Sequence, residues 1–273
     1  MILIIFILIL FIYAVLENTL MLKTRTEIFN NNTDKIKILH LSDLHKRSFG
    51  KYNIKLIEKV RSLNPDIIIF SGDLISRDTE DLTGLEKFIE NLVKTAPVYF
   101  SMGNHELDLK ITNNQKYKEF IEILKKYNVH ILKNASENFT YKNRKISITG
   151  ASLKNTVYKT NNGYKNIEKY SPEDISNDLG TPEYDCLNIL IAHNPFFAET
   201  YSYWNADYTL SGHVHGGAVR IPFFNIPLLS PERKFFPEYS KGVFEIGNMK
   251  LLVSGGLGKF RLFNPPEIVV YYI

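Results

Sequence analysis

The 273-residue chain is poor in cysteine and tryptophan, with one residue of each, and it has no dense run of basic side chains. Its single cysteine, Cys186, excludes an internal disulfide and any metal site built from several thiolates. The formal charge of +4, from 33 basic and 29 acidic residues, indicates no surface for a nucleic-acid polymer. Hydrophobic residues make up 44% of the chain, which excludes a disordered protein and allows a sizeable core.

Charged side chains are also absent from residues 1–16, and the apolar pattern resumes at Leu20 after a short polar interruption. A helix over residues 1–22 has the roughly 20 residues needed to cross a bilayer. A cleaved signal peptide would carry a basic start and a small-residue cleavage site, and neither is evident. We therefore expect an uncleaved, single-pass anchor in the cell membrane. Lys23 and Arg25 follow it, which only weakly favours a cytoplasmic domain, so the side of the membrane stays open.

The rest of the chain divides into a polar, Asn-rich linker at residues 23–35 and one domain over residues 36–273. In the first half of that domain, apolar segments alternate with amphipathic helices, which predicts right-handed crossovers and a largely parallel sheet. The predicted strands are 36–41, 66–70 and 97–101, and the predicted helices are 53–63, 81–93 and 114–127. The second half has short strands with few helices, which predicts a second sheet packed on the first. Those strands are 138–141, 145–148 and 187–192, with a hairpin at 241–254.

Polar side chains follow four of these apolar segments and a further apolar run at Tyr208–Leu210, at the point where each ends. In open α/β sheets that edge is where ligands bind. Each residue alone also has an ordinary explanation as a turn, a helix cap or a packed histidine. Taken together, oxygen and nitrogen donors without a thiolate suit Mn, Fe, Zn or Ni. The candidates are Asp43, His45, Asp73, Asn104, His105, His193, His213 and His215.

In order and spacing, these motifs resemble the calcineurin-like metallophosphoesterases. The matching motifs are D-x-H at Asp43–His45, G-D at Gly72–Asp73, G-N-H-E at Gly103–Glu106, a lone His193, and G-H-x-H at Gly212–His215. The C-terminal part, with Gly255–Gly258, Arg261 and Pro266–Ile268, looks like the small membrane-associated bacterial members. The resemblance implies a four-layer αββα sandwich of two mixed sheets and a metal-dependent hydrolase of phosphomonoesters or phosphodiesters.

The resemblance also implies a role for each motif residue. One divalent metal would be held by Asp43, His45, Asp73 and His215, and a second by Asp73, Asn104, His193 and His213. Asp73 would bridge the two metals, and a hydroxide between them would attack phosphorus. His105 would stand beside the site and assist the leaving oxygen. The substrate stays open among nucleotide, sugar-nucleotide and lipid-linked esters.

The alternative is a catalytically inactive scaffold protein of the same fold at the membrane, and the complete set of ligands argues against it. Arg220 and Arg261 are candidates for contacting substrate, with a structural salt bridge equally open. Glu106 either orients His105 or caps a turn. We also expect the apolar loop at residues 222–237 to dock on a membrane, with burial in the core as the alternative. That loop carries Phe223, Phe224, Leu228, Arg233, Lys234, Phe235 and Phe236, and Arg220 lies just before it.

Overall fold

Two six-stranded sheets lie face to face at the centre of the computed structural model, which describes residues 1–29, 34–159, 167–222, 224, 226–230 and 235–273. In these residues the helices are α1 Ile2–Thr19, α2 Ile54–Leu63, α3 Thr83–Leu92, α4 Asn104–Thr112, α5 Asn114–Lys126, α6 Pro172–Leu179 and α7 Ala198–Tyr203. The strands of the first sheet are β1 Lys23–Ile28, β2 Lys37–Leu41, β3 Ile67–Phe70, β4 Val98–Phe100, β5 His130–Ile131 and β14 Glu267–Tyr272.

The second sheet and a small hairpin hold the remaining strands. The second sheet contains β6 Ala135–Tyr141, β7 Arg144–Ala151, β8 Leu187–Ala192, β9 Tyr208–Ser211, β12 Gly242–Ile246 and β13 Met249–Val253, and the hairpin pairs β10 Val219–Ile221 with β11 Ile226–Leu229. The first sheet has the order β1-β14-β2-β3-β4-β5, and only the β14–β2 pair is antiparallel. The second has the order β12-β13-β9-β8-β7-β6, antiparallel only at its two outer pairs.

The sandwich has four layers, two of helices and two of strands, and an apolar cluster fills each of the three spaces between neighbouring layers. The first lies between one sheet and α2, α3 and α5, and includes Leu56, Phe88 and Phe120. The second fills the space between the two sheets with β-branched side chains such as Ile69 and Ile189. The third lies between the second sheet and α6 and α7. Strands buried on both faces explain why β3 and β8 read as continuous apolar runs. The predicted four-layer α/β architecture is therefore confirmed.

The predicted linker at residues 23–35 is wrong for its first half. Lys23–Ile28 forms β1, which pairs in parallel with β14 at the edge of the first sheet. The polar sequence of β1 gave no signal of a strand, because an edge strand exposes one face to solvent and needs no continuous apolar run. Arg25 holds β1 at this edge, because its guanidinium lies 3.2 Å from the buried carboxylate of Glu267 on β14 and donates to the Val253 carbonyl. Asn30, Asn31 and Asn32 lie outside the described residues.

Several elements of the second half and the site were not predicted, among them α4, α6, α7, β14 and the hairpin of β10 and β11. Helix α4 begins within the G-N-H-E motif, and α7 is only six residues long, so neither gives a clear period. Helix α6 is also short, although its start carries a readable signal. The Ser171 hydroxyl accepts from the Asp174 backbone N–H, and the Asp174 carboxylate accepts from the Ser171 N–H. Strand β14 was missed because its partners lie far away in sequence.

Helix α1 is long and apolar enough to cross a membrane, by length and composition. It ends at Thr19, three residues before the predicted end at Leu22. Most of its apolar side chains are exposed, including Met1, Ile2 and Ile4. Its last two turns differ, because Glu17 is buried and Asn18 is half-buried against the domain. The helix is thus attached to the domain from Tyr13 onward, whereas most of the described apolar side chains before Tyr13 are exposed.

His40 is a fully buried histidine of β2, as its position within a strand indicates. Its Nε2 lies 2.7 Å from the Ser71 hydroxyl. Burial lowers the pKa of His40 to about 3, since charging the ring would require water that the sheet excludes. The unfolded chain binds a proton near pH 6.5. Between those two pH values the unfolded state binds more protons than the folded state, so the stability contributed by neutral His40 is lost as pH falls below about 6.5.

We predict that His40→Gln weakens this pH dependence, because glutamine can still bond to Ser71 but does not titrate. The free energy of unfolding of the detergent-solubilised chain should be measured in urea at pH 7.5 and 5.5. The wild type should lose up to roughly 1 kcal/mol more than the variant over that interval. Equal losses in both proteins would contradict a neutral, buried His40.

Candidate metal centre

The polar motif residues come together at one edge of the sandwich, where both sheets present the carboxyl ends of their parallel strands. From the first sheet, Asp43 follows β2 and Asp73 follows β3, while Asn104 is the first residue of α4 after β4. From the second sheet, His193 follows β8 and the His213–His215 pair follows β9. The site therefore exists only because the two sheets pack with these edges aligned.

One group of candidate ligands consists of Asp43, His45 and His215, whose donor atoms all lie within 4.8 Å of one another. The His215 Nε2 lies 3.3 Å from the Asp43 Oδ1 and 3.1 Å from the His45 Nε2. The His45 Nε2 is also 3.8 Å from the Asp73 Oδ2. Asp43 is fully buried, and the two imidazoles are half-buried at the mouth of the site.

A second group, Asp73, His193 and His213, has the same compactness and is entirely buried. The His193 Nε2 lies 3.2 Å from the Asp73 Oδ2. Asn104 joins this group, because its Oδ1 lies 3.0 Å from the His213 Nδ1. The Asp73 carboxylate faces both groups, since the same Oδ2 atom is near His45 and His193.

The donors fit a pair of divalent cations. His193 donates from Nδ1 to the Ser71 carbonyl at 2.7 Å, which leaves Nε2 directed at the carboxylates, where it either carries a proton or binds a cation. That buried Nε2 has no hydrogen-bond partner within the described part of the chain. Two fully buried carboxylates also need positive charge nearby, because an uncompensated buried charge is costly. A cation between these atoms would satisfy both requirements.

Carboxylates and imidazoles packed this closely shift one another's pKa values. Burial by itself would lower the pKa of His193, but the Asp73 and Asp43 carboxylates outweigh it and raise the pKa to about 9. Burial also lowers the pKa of His45 to about 3, so this imidazole is neutral at physiological pH. The neighbouring histidines hold the pKa of both carboxyls well below the ordinary value despite their burial. The acids are therefore ionised, as metal ligands must be.

Backbone conformation holds the ligands at these distances. Asp43, His45, Asp73, His213 and His215 all have φ between 51° and 70°, in the left-handed region. That conformation costs of order 1–3 kcal/mol per residue and persists only where the surroundings enforce it. The backbone of neighbouring loops packs tightly against these ligands and helps to enforce the conformation. A Cβ on Gly103 would lie 2.2 Å from the Asp73 Oδ1, and one on Gly212 would lie 2.5 Å from the Asp43 Oδ2. This explains the glycines in both motifs.

His105 lies at the rim, with its Nε2 3.9 Å from the Asp73 Oδ2. The Arg77 backbone N–H lies 3.2 Å from its Nδ1 and an Arg77 guanidinium nitrogen lies 3.0 Å from its Nε2, so Arg77 holds the ring through both nitrogens. Burial lowers the pKa of His105 below its ordinary value. Its ring nitrogens also fall within 4.8 Å of donor atoms of His45 and Asp73, so geometry alone permits a ligand role.

Glu106, whose role the sequence left undecided, does not contact His105 by its carboxylate. It is fully buried and accepts from three backbone N–H groups, those of Asp73, Ile75 and Gly103, at 2.8–3.1 Å. Burial and the nearby Asp73 carboxylate raise the pKa of Glu106 to about 7, although the Ile75 and Gly103 bonds favour its ionised form. It therefore caps α4 and fixes the loop that carries Asp73.

The loop at residues 255–258 is a part of the site that ligand motifs alone do not indicate. A Cβ on Gly256, whose φ is +70°, would lie 2.7 Å from the Asp43 Oδ2, and one on Gly258 would meet both His45 and His215 at 3.3 Å. Glu267 holds this loop by accepting from the Gly255 N–H at 2.9 Å. The signal in the sequence was the glycine-rich segment itself, which requires a close approach of backbone to something.

Substrate contact and a structural role were both open for Arg220 and Arg261, and the contacts described for both are structural. Arg220 is buried and donates to the Gly216 carbonyl and the Ser240 hydroxyl. Arg261 is buried and donates to the carbonyls of Gly258 and His215. Both therefore brace the backbone beside the histidine pair. The predicted docking loop is described only in part, and Phe223, Arg233 and Lys234 lie outside the described residues.

A cavity of about 400 Å³ opens onto these groups. Its lining includes the ligand candidates at the rim together with His105, Arg77, Lys259 and Phe260. It is large enough for a phosphoester group with part of its two substituents.

Comparison with known proteins gives relatives along nearly the whole chain. It is 30% identical to an uncharacterized metallophosphoesterase, Cj0846, of Campylobacter jejuni, over 95% of this chain and 65% of that protein. It is 25% identical to the phosphodiesterase YaeI of Escherichia coli, over 92% and 86% of the two chains. It is 24% identical to the UDP-2,3-diacylglucosamine pyrophosphatase LpxG of Chlamydia muridarum, over 86% and 82%. The chain thus spans just under two thirds of the Campylobacter relative.

A solved structure shares the fold. The phosphopantetheinyl hydrolase PptH of Mycobacterium tuberculosis matches with a TM-score of 0.50 and 14% identity, over 83% of this chain and 92% of that one. The family model for the calcineurin-like phosphoesterases matches residues 36–217, the segment that contains every candidate ligand. The chain belongs to the calcineurin-like phosphoesterase family.

Proposed function

We propose that the protein is a metal-dependent hydrolase of phosphoesters, held at a membrane by α1 and acting on a lipid-linked phosphodiester or pyrophosphate. The observation that carries the reaction class is the convergence of seven oxygen and nitrogen donors around two buried carboxylates. A scaffold protein without chemistry has no need to bury Asp43 and Asp73 together or to strain their backbone.

Within this proposal, Asp43, His45, Asp73 and His215 hold one cation, and Asp73, Asn104, His193 and His213 hold the other. When bound, the two cations supply Lewis-acid activation of water and of the phosphoryl oxygens, and stabilise charge that develops at phosphorus. Mn, Fe, Zn and Ni all accept this donor set. Asn104 keeps the second cation electrophilic, because its amide oxygen is neutral.

His105 has a separate role in the proposal. Its ring lines the cavity and is held by Arg77 rather than by a buried carboxylate. A neutral imidazole that offers a proton beside the site suits protonation of a leaving alkoxide. Arg77 contributes positive charge at the same wall of the cavity, with one guanidinium nitrogen 3.0 Å from the His105 Nε2.

The membrane part of the proposal rests on the attachment of α1. A cleaved signal sequence would be lost after export, so it has no reason to complete a folded domain. Here Glu17 accepts from the Phe263 N–H at 2.8 Å, and Asn18 bonds to Arg261. These contacts support a retained anchor. Lys23 and Arg25 belong to β1 rather than to a flanking loop, so they give no further support to either orientation.

The substrate class is supported by the anchor and by one relative. An active site that is fixed beside a membrane helix has its highest substrate concentration at the lipid surface. The relative LpxG is named for a nucleotide pyrophosphate that carries acyl chains. Both point to a phosphoester with a lipid substituent.

We predict that chelation abolishes hydrolysis and that added Mn²⁺ restores it. Turnover of bis(p-nitrophenyl) phosphate by the detergent-solubilised chain should fall to background after EDTA and dialysis. Asp73→Asn should remain at background when Mn²⁺ is returned, because the shared carboxylate is lost. Asp185→Asn, an exposed carboxylate at the opposite end of β8, is the matched control and should recover fully. Full activity without metal would refute the proposed chemistry.

We also predict that His105 and His213 separate into different roles. His105→Ala should keep two metals per chain and slow turnover by about 10²–10⁴-fold, the range for loss of a general acid. His213→Ala should bind one metal fewer. Elemental analysis of both variants measures the difference, with His130→Ala, which is paired with Glu137 outside the site, as the control. Equal metal loss in the His105 and His213 variants would instead make His105 a ligand.

A further inference from the structure

The segment at residues 258–264, here called the rim loop, forms one wall of the metal-site cavity. Lys259 and Phe260 line that cavity beside His45 and His215. Phe260 is 89% exposed, although its neighbour Arg261 is fully buried. A large aromatic ring presented to solvent at the mouth of a polar site is unusual for a surface that faces only water.

The rim loop is also the surface to which α1 is attached. Asn18 donates to the Arg261 carbonyl at 2.7 Å, and the Arg261 N–H donates back to the Asn18 Oδ1 at 3.0 Å. Tyr13 stacks on Phe263 with ring centroids 5.1 Å apart. Three contacts on successive turns fix the angle and rotation of the helix, so it cannot swing freely about a linker.

The same loop holds a candidate metal ligand. The His215 carbonyl accepts from the Arg261 guanidinium at 2.8 Å and from the Asn264 amide at 2.7 Å. Arg261 therefore bonds to the end of α1 through its backbone and to the metal site through its side chain. The position of the helix and the position of the site are set by one rigid segment.

The length of α1 gives the depth of the rim loop. Eighteen residues extend about 27 Å, slightly less than the roughly 30 Å hydrocarbon core. The helix can span only if nearly all of it lies within the bilayer. Phe263 meets the helix at Tyr13, six residues or about 9 Å before its end. That places the loop within the boundary of headgroups and acyl chains, the depth that interfacial protein segments reach.

Further exposed rings continue this surface. The hairpin of β10 and β11 joins the rim loop through the Val219–Leu262 bridge. Phe224, Phe235 and Phe236, on and beside this hairpin, are 61–74% exposed. Lys259 adds a cationic group that attracts anionic headgroups. Apolar rings with a basic residue, continuous with an apolar helix, match a lipid surface better than a protein partner.

We infer that the rim loop is a membrane-inserted lip of the active site, with Phe260 among the acyl chains, so that a lipid phosphoester reaches the metals without leaving the bilayer. This inference rests on the proposed anchor and adds the direction from which substrate arrives. It assigns Phe260 and Lys259 to binding the lipid substrate, and it assigns Glu17 and Asn18 to positioning the lip.

The depth of the lip can be measured without activity. The full chain carrying Phe260→Trp is reconstituted into vesicles of phosphatidylcholine and phosphatidylglycerol whose acyl chains are brominated. Tyr184→Trp is the matched control, because Tyr184 is also 89% exposed but lies before β8, at the opposite edge of the sheet. The buried native Trp204 contributes equally to both proteins.

We expect blue-shifted emission and strong quenching for Phe260→Trp, and neither for Tyr184→Trp. Asn18→Ala in the Phe260→Trp chain should reduce the quenching while the chain still floats with the vesicles. Equal, weak quenching at both positions would overturn the inserted lip. A blue shift without quenching would overturn it too, because it would mean that a second protein chain covers Phe260. A chain that does not float with vesicles would overturn the anchor and the lip together.

Activity gives a second, independent test. Hexadecyl p-nitrophenyl phosphate in the vesicles and soluble bis(p-nitrophenyl) phosphate share a leaving group and differ in location. Phe260→Ser should lower the ratio of the lipid rate to the soluble rate by about tenfold, the factor expected when a ring loses burial in lipid. Tyr184→Ser should leave it unchanged. An unchanged ratio in Phe260→Ser would overturn the lip. If neither ester shows metal-dependent turnover, the proposed reaction is refuted, and the depth measurement then decides on the lip.

Discussion

The burial of two carboxylates side by side is the constraint on which this structure depends. Asp43 and Asp73 are almost fully removed from water at the point where the two sheets meet. Such charges are tolerated only where opposite charge or many hydrogen-bond donors compensate them. The chain supplies histidines on every side, together with backbone N–H groups such as that of His213, which donates to the Asp43 Oδ1 at 3.0 Å. A pair of divalent cations would complete the compensation, and binding of metal would then stabilise this edge.

Packing at this edge explains much of the surrounding sequence. Loops from the two sheets pass so close to the ligands at four points that no side chain larger than a hydrogen atom fits. Glycines at positions 72, 103, 212 and 256 occupy those points. Glu106 fixes the Asp73 loop from below through three backbone bonds, while Glu267 fixes the 255–258 loop from the side. These acids do not take part in the chemistry, but the ligand geometry depends on them. Strain in the left-handed ligands is balanced by this network.

The C-terminal part of the chain connects α1 to the site. Strand β14 lies between β1 and β2, so the residues directly after α1 pair with the last strand of the protein. Arg47 adds a further tie, because its guanidinium donates to the Gly258 carbonyl at 3.1 Å and to the Met21 carbonyl at 3.4 Å. Helix α1, edge strand β1 and the rim loop thus form one continuous structure.

The sequence by itself predicted a metal site of oxygen and nitrogen donors, because strand ends can be read from apolar runs and these residue types follow them. The reaction class was what the resemblance of those motifs to the phosphoesterase family implied. The sequence also determined the parallel strands β2, β3, β4 and β8, whose burial on both faces leaves a clear pattern. It could not reveal β1, since an edge strand held by the Arg25–Glu267 pair looks like a polar linker. From the sequence, Arg220 and Arg261 could either contact substrate or serve a structural role. Only tertiary packing showed that both side chains donate to backbone carbonyls. The attachment of Asn18 to Arg261 spans 243 residues, and local patterns carry no information about contacts over that distance. The donor types of the site could therefore be read from the residues, whereas the position of α1 beside the site was decided by long-range packing, which local sequence patterns do not encode.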